Sequence, residues 1–205
     1  MRAFVARMGL LLAALAGGTA LGGGAVQAEG QTHKGYEMPP YRVERVEDGH
    51  ELRVYGPHLV AEVTVRGDRS TAVGRGFSVL AGYIFGGNMG GEKLAMTVPV
   101  AQTPDAGEGD LWVVRFMMPR DQTLESLPKP KDDRIRLLQM PGDRQVVTVF
   151  SGLPETTDLA ARAEALRAWA EGAGLTVLAG PHYYFYDAPM TLPWNRRNEV
   201  AFTIR

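Results

Sequence analysis

Cysteine is absent from the 205 residues. This excludes disulfides, thiolate nucleophiles, Cys-ligated zinc, iron–sulfur clusters and a Cys-linked lipid anchor together. An excess of charge of either sign is also missing, since 22 Lys and Arg stand against 23 Asp and Glu for a net of −1. Without a basic field, nucleic acid is not an expected partner. Histidine is scarce. Its four copies at 33, 50, 58 and 182 form neither an H-E-x-x-H nor an i, i+4 pair, so a His-built zinc site has no basis. No G-x-S-x-G or S-x-x-K motif gives a placed nucleophile, and Ser70, Ser78, Ser126 and Ser151 have no His or Asp at an informative spacing. What remains is a globular composition, 45% apolar and 22% charged.

Arg2 and Arg7 precede an apolar stretch running through Gly17, Gly18 and Gly22 to Val26-Gln27-Ala28, a small-x-small cleavage pattern. Residues 1–28 therefore read as a signal peptide, with 29–40 as a polar linker and 41–205 as one domain. The alternative is an uncleaved anchor, because Met8 to Val26 holds 19 residues without a charge. Cleavage would send the protein to the periplasm or outside the cell. Losing two Arg and no acid would take the formal charge from −1 to −3. A chain of ~175 residues can bury about 70% of its unfolded surface, so disulfides are not needed.

Short runs of period-2 character recur at 41–46, 51–55, 59–65, 94–100, 111–117, 135–140, 146–150, 176–178, 182–186 and 199–204. Two segments follow a helical period instead. In the first, Val73, Phe77, Leu80, Ala81 and Ile84 share a face, Asp68 or Ser70 caps the start and Gly86-Gly87 ends it. In the second, Leu159, Ala163, Leu166, Trp169 and Ala170 share a face, Thr157 or Asp158 caps it and Gly172 stops it. The order strand, helix, strand, strand occurs twice, around 59–118 and 146–205. Val63 to Val149, Phe77 to Trp169, Pro99 to Pro189 and Phe116 to Phe202 are all spaced by about 90 residues. Such a repeat predicts two half-domains related by a pseudo-two-fold axis in one α+β domain with a mostly antiparallel sheet.

Several local patterns have ordinary explanations. The stretch from Gly86 to Lys93 is glycine-rich but ends a helix, whereas a phosphate cradle opens one. Asp132-Asp133 reads as a solvated turn, and Arg196-Arg197-Asn198 as a loop fixed by bonds to carbonyls and acids. Gly74-Arg75-Gly76 sits inside the first helical pattern, where each Gly costs about 1 kcal/mol relative to Ala. Either the helix packs closely there, or a flat ligand lies on the bare backbone.

The strings Tyr83-Ile84-Phe85-Gly86-Gly87-Asn88 and Lys93-Leu94-Ala95-Met96-Thr97-Val98-Pro99-Val100 resemble the signature of the SOUL haem-binding protein family. Arg53-Val54-Tyr55-Gly56-Pro57, Phe116-Met117-Met118-Pro119, Tyr186-Asp187-Ala188-Pro189 and Arg196-Arg197-Asn198-Glu199-Val200 resemble its other motifs, so the likeness spans 36–205. It implies a distorted eight-stranded antiparallel β-barrel of two β-α-β-β halves flanked by two helices, similar also to bacterial effector-binding domains. It further implies a haem or other tetrapyrrole ligand. Some family members use a His just before the Tyr of the early motif. Here Val54 stands there, which implies binding in an apolar cleft beside the first helix through packing and propionate pairing. The residues implied are Val73, Arg75, Gly76, Phe77, Met89 and Tyr186, with Arg75 meeting a propionate. Thr191 and Leu192 occupy the place of a second cation. His58 and His182, each following a Pro at a strand start, are the remaining iron-ligand candidates.

The resulting expectation is an exported soluble binder of a flat amphipathic ligand, serving scavenging, buffering or transfer rather than turnover. Two other readings stay open. One is an enzyme using Glu92 or Glu199 with Tyr83 or Tyr186 for proton transfer, and the other is a cofactor-free effector-binding or protein-interaction module. The leader makes a direct prediction: the intact mass of protein exported by its native host corresponds to a chain beginning at Glu29, and retention of any earlier residue refutes cleavage after Ala28.

Overall fold

The computed structural model describes residues 31–105 and 110–205; the leader expected at 1–28 lies outside them. The described chain forms β1 (Thr32–His33), β2 (Tyr36–Glu37), β3 (Tyr41–Glu47), β4 (His50–Tyr55), β5 (His58–Arg66), α1 (Arg69–Ile84), β6 (Val100–Pro104) and β7 (Leu111–Met117). It continues through β8 (Arg136–Met140), β9 (Arg144–Phe150), α2 (Thr156–Gly172), β10 (Val177–Phe185) and β11 (Asn198–Ile204). No helix among the described residues is long and apolar enough to cross a membrane.

Strands β3 to β11 make one antiparallel sheet in the order β3-β4-β9-β11-β10-β6-β7-β5-β8, curled into a half-barrel. Apart from the edge strand β3, the order is palindromic about the β10·β6 pair. The units β4-β5-α1-β6-β7 and β8-β9-α2-β10-β11 are thus the two halves that the sequence repeat predicts. Each half lends its first strand to the other, since β4 pairs β9 and β8 pairs β5. The eight strands implied by the family resemblance are present, and β3 adds a ninth through the β3–β4 hairpin. Its turn is Asp48-Gly49, with φ of 50° and 81°. Positive φ at both central positions is what a tight two-residue hairpin requires.

Both helices lie on the convex face. Leu80, Tyr83 and Ile84 of α1 pack with Leu59, Ala61 and Val63 of β5 and Val114 and Phe116 of β7. Leu159, Ala163, Leu166 and Ala170 of α2 pack with Val146, Tyr183, Val200 and Phe202. Because α1 sits on β5 and β7 while α2 sits on β9, β10 and β11, the strand β6 runs beneath the valley between them.

Asp68 caps α1, accepting from the Thr71 amide at 3.1 Å and the Thr71 hydroxyl at 2.7 Å. The cap of α2 differs from the expectation of Thr157 or Asp158. Glu155 occupies it without a side-chain bond, and the helix runs through Gly172 to a left-handed Gly174 at φ 77°. The expected strand 94–100 is also shorter. Sheet pairing begins at Val100, because Pro99 has no N–H to donate and the preceding residues make only isolated bridges. Of the stretch read as a linker at 29–40, the described residues 31–40 carry the β1–β2 hairpin, and Met38 is buried against Val98 and Tyr186.

Gly76 resolves the question raised by its place in a helix. A Cβ built there would lie 2.6 Å from Val114 Cγ2, so the helix packs directly on β7, whereas Gly74 has nothing within 4 Å. Gly76→Ala is expected to destabilise the fold by about 1–2 kcal/mol net of its propensity gain, with partial recovery in combination with Val114→Ala. Gly74→Ala is expected to stabilise by about 0.5–1 kcal/mol. Chemical denaturation of the four proteins checks both signs.

Candidate functional site

The concave face of the sheet is polar where the convex face is apolar. Register aligns Glu62, Arg115, Ala101, Tyr184 and Glu199 across β5, β7, β6, β10 and β11. Alternation turns these side chains away from the helices. Ala101 is the small member of this row. It borders a cavity of about 320 Å³ that is also lined by Tyr55, His58, Met117, Asp143, His182 and Tyr184.

At one side of the cavity an ion-pair network is sealed in the protein. Arg53 and Glu199 are both 0% exposed. Arg53 donates Nη1 to Glu199 Oε2 at 2.9 Å and Nη2 to Oε1 at 3.1 Å, the fork geometry of a guanidinium on a carboxylate. Arg197 adds bonds of 2.9 and 2.6 Å to Oε1, and the Tyr186 hydroxyl donates to Oε2 at 2.9 Å. Arg53 also donates Nε to Glu51 at 2.8 Å and lies over the Tyr41 ring. Burial, with Glu199 adding to it, raises Tyr55 and Tyr186 well above the ordinary phenol range, so both hydroxyls stay protonated. Burial opposes the charge of Arg53, but Tyr55 and Glu199 outweigh it and hold the guanidinium more firmly protonated than usual.

A second network has one polarity. The Tyr184 hydroxyl donates to Gln145 Oε1 at 3.0 Å, and Gln145 Nε2 donates to both oxygens of Asp143 at 3.0 and 3.1 Å. From the other direction Thr203 donates its hydroxyl to Asp143 Oδ2 at 2.7 Å. With its proton committed, Thr203 can only accept from His182 Nε2 at 3.2 Å, which leaves His182 Nδ1 to accept from Thr103 at 3.0 Å. The chain converges on Asp143. Burial, helped by Arg115 and opposed by Asp143, pushes His182 down to about 4, so the ring is neutral near pH 7 and a weak base there.

The two iron-ligand candidates therefore differ. Both nitrogens of His182 are engaged. His58 donates Nδ1 to the Gly56 carbonyl at 3.0 Å, which leaves Nε2 as the nitrogen with a lone pair, and burial lowers its basicity. Among the described residues no group of three or more His, Asp or Glu could hold a metal ion. His33, expected in a solvated linker, instead meets Asp187 at 3.3 Å and packs edge-on against Tyr186, because the β1–β2 hairpin docks there. Of the proton-transfer candidates, Tyr186 and Glu199 come together, with Glu199 already accepting five hydrogen bonds. Tyr83 is buried and bonds the Pro128 carbonyl, and the exposed Glu92 lies in the same neighbourhood, Asn88 bonding the backbone carbonyls of both; burial and then the Glu92 charge raise Tyr83 to about 12.

On the convex face the cleft residues expected beside α1 do not form one group. Arg69, Val73 and Phe77 recur every four residues and make one stripe along α1. Phe77 is 41% exposed and meets Phe116 edge-on at 5.3 Å, while Arg69 reaches across to Phe185 at 5.2 Å and bonds Gln102 at 3.0 Å. This stripe faces the valley. Arg75 points to the opposite flank, into a shallow hollow with Thr64, Ser78 and Arg134. Gly76 is covered by Val114, so its backbone is closed to a ligand. Met89 is exposed beyond the end of α1, and Tyr186 lies buried in the concave network, away from the helix. Sequence reasoning missed Arg69, whose signal was its position four residues before Val73. It also missed Asp143, Gln145, Thr103 and Thr203, which carry only the strand alternation.

A family model described as SOUL heme-binding protein matches residues 36–203. No curated protein matches the chain. Solved structures share the fold at low identity. A hydrolase from Listeria innocua is 14% identical with a TM-score of 0.55, over 79% of this chain and 94% of the other. An uncharacterised conserved protein from the same organism is 16% identical with a TM-score of 0.55, over 78% and 94%. The EcmrR C-terminal domain is 13% identical with a TM-score of 0.61, over 76% and 96%.

The sealed ion pair generates a stability prediction. Glu199→Gln removes the carboxylate that both Nη atoms of Arg53 meet, leaving Glu51 as its acidic partner, and is expected to cost about 3–5 kcal/mol. Replacing Arg53 and Glu199 together by Leu is expected to cost less than the sum of the single changes. Urea unfolding of the single and double variants tests this, and a Glu199→Gln protein as stable as the parent would contradict it.

Proposed function

The chain belongs to the SOUL haem-binding protein family, and from that premise we propose that it is an exported protein that holds haem or a related tetrapyrrole reversibly in the valley beside α1, for scavenging, buffering or transfer. The observation that carries this reading is Arg69. Its Nε is buried without a hydrogen-bond partner, and none of the ion pairs among the described residues includes it. A half-buried cation of this kind, beside the half-exposed ring of Phe77, Val73 and Phe185, suits a flat apolar ligand that carries a carboxylate.

In this reading the propionate role expected of Arg75 passes to Arg69, and Phe85 and Met89, 58% and 70% exposed, extend the apolar surface past the helix end. In this reading the valley supplies packing and one cation. The bound group would contribute its flat apolar area. Burial of ~300 Å² at about 25 cal/mol per Å² gives roughly 7 kcal/mol before association costs, which points to micromolar affinity at best. Titration of the mature chain with ferric haem is expected to saturate at one equivalent. Arg69→Gln should weaken binding about 10-fold or more, as loss of one charge-assisted hydrogen bond implies, while Arg75→Gln leaves it unchanged. The reverse order of effects would move the ligand to the other flank of α1.

A further inference from the structure

The concave cavity is separate from the α1 valley and has a chemistry of its own. Its wall includes Val60, Ala101, Met117 and Met140, interrupted by a few polar groups, which is the composition of a small-molecule site. Among those groups Asp143 is distinctive. Its carboxylate accepts from Gln145 and Thr203 only, both neutral, and it takes part in no ion pair among the described residues. No cationic side chain nearby pairs with it directly. Arg115, on the same cavity wall, donates Nε to Glu62 at 2.6 Å, a carboxylate buried at 5% exposure that Arg136 also meets at 3.5 Å. Arg53 and Arg197 are committed to Glu199 and Glu51. His58 and His182 are kept neutral by burial. Asp143 is therefore a carboxylate with no ion-pair partner of its own among the described residues, in a part-apolar chamber with Tyr55 and Tyr184 on the same wall.

We infer that this cavity is a binding site for a compact organic cation, an amine or quaternary ammonium on an apolar body, recognised by Asp143. Its charge neutralises Asp143 and its body packs above the Ala101 methyl. Tyrosine rings add attraction for a cation. A volume of about 320 Å³ is the space of about ten waters, which suits a compact ligand of roughly ten non-hydrogen atoms. The inference does not depend on the tetrapyrrole reading, since neither Asp143 nor Ala101 belongs to the valley.

The test is isothermal titration of the full chain with benzyltrimethylammonium, with benzyl alcohol as the neutral probe and benzoate as the anionic one. The cation is expected to bind once per chain and at least tenfold more tightly than either control. Asp143→Asn, which preserves the backbone bond from the Tyr55 amide to the carbonyl of residue 143, and Ala101→Phe, which fills the chamber, are each expected to weaken it at least tenfold with the circular dichroism of the fold intact. If one variant fails to fold, the other carries the comparison. Tighter binding of benzoate would make Arg115 the recognising charge and overturn the inference. Affinity for the cation that is unchanged in a folded variant, or no binding of any probe to the parent protein, would overturn it as well.

Discussion

The fold is organised around a constraint on its concave face, where charge is buried and must be matched. Arg53 on β4 and Glu199 on β11 are two strands apart in the sheet and 146 residues apart in the chain, yet each is fully enclosed. A carboxylate accepting five hydrogen bonds and a guanidinium using all three nitrogens offset the cost of removing both from water only if the strands keep their register. The pair thus acts as a gauge of how β4, β9 and β11 are aligned. It also fixes Tyr55 and Tyr186, which hang from it at the edge of the cavity.

The same sheet carries two different solvents. Its convex face is divided into two apolar cores, one under each helix, and its concave face holds hydrogen-bonded networks that end on Glu199 and on Asp143. The pseudo-two-fold axis explains why the helices leave a valley. Each helix covers its own half, and β6 beside the β10·β6 seam is left between them. The proposed tetrapyrrole lies in the valley, and the proposed compact cation in the chamber on the other face. Family membership supports ligand binding in general, and the two proposals assign it to chemically distinct faces.

Much of the architecture was legible in the sequence because local signals agreed with the global arrangement. The Asp48-Gly49 turn, the Asp68 cap and the strand alternation lead to the observed elements, and the 90-residue spacing anticipates the palindromic sheet. The runs at 176–178 and 182–186 join into one strand because Gly180-Pro181 forms an irregularity in pairing rather than a break. The sites were less legible. Arg53, Tyr186 and Glu199 fall in recognisable motifs, but their partnership depends on which strands meet, which no spacing encodes. Asp143 belongs to no motif, and its bond to Thr203 depends on β9 pairing with β11. The family resemblance implies Arg75 as the propionate partner, whereas the phase of α1 turns Arg69 to the valley instead.

The claim that these are two separate sites on opposite faces is tested most directly by hydrogen–deuterium exchange of the full chain with and without ferric haem. Protection is predicted along α1 from Arg69 and in the neighbouring part of β10, with β8 and the segment from Pro141 to Gln145 unchanged. Protection centred on His58 and Asp143, with none along α1, would contradict the account by moving the tetrapyrrole into the concave chamber.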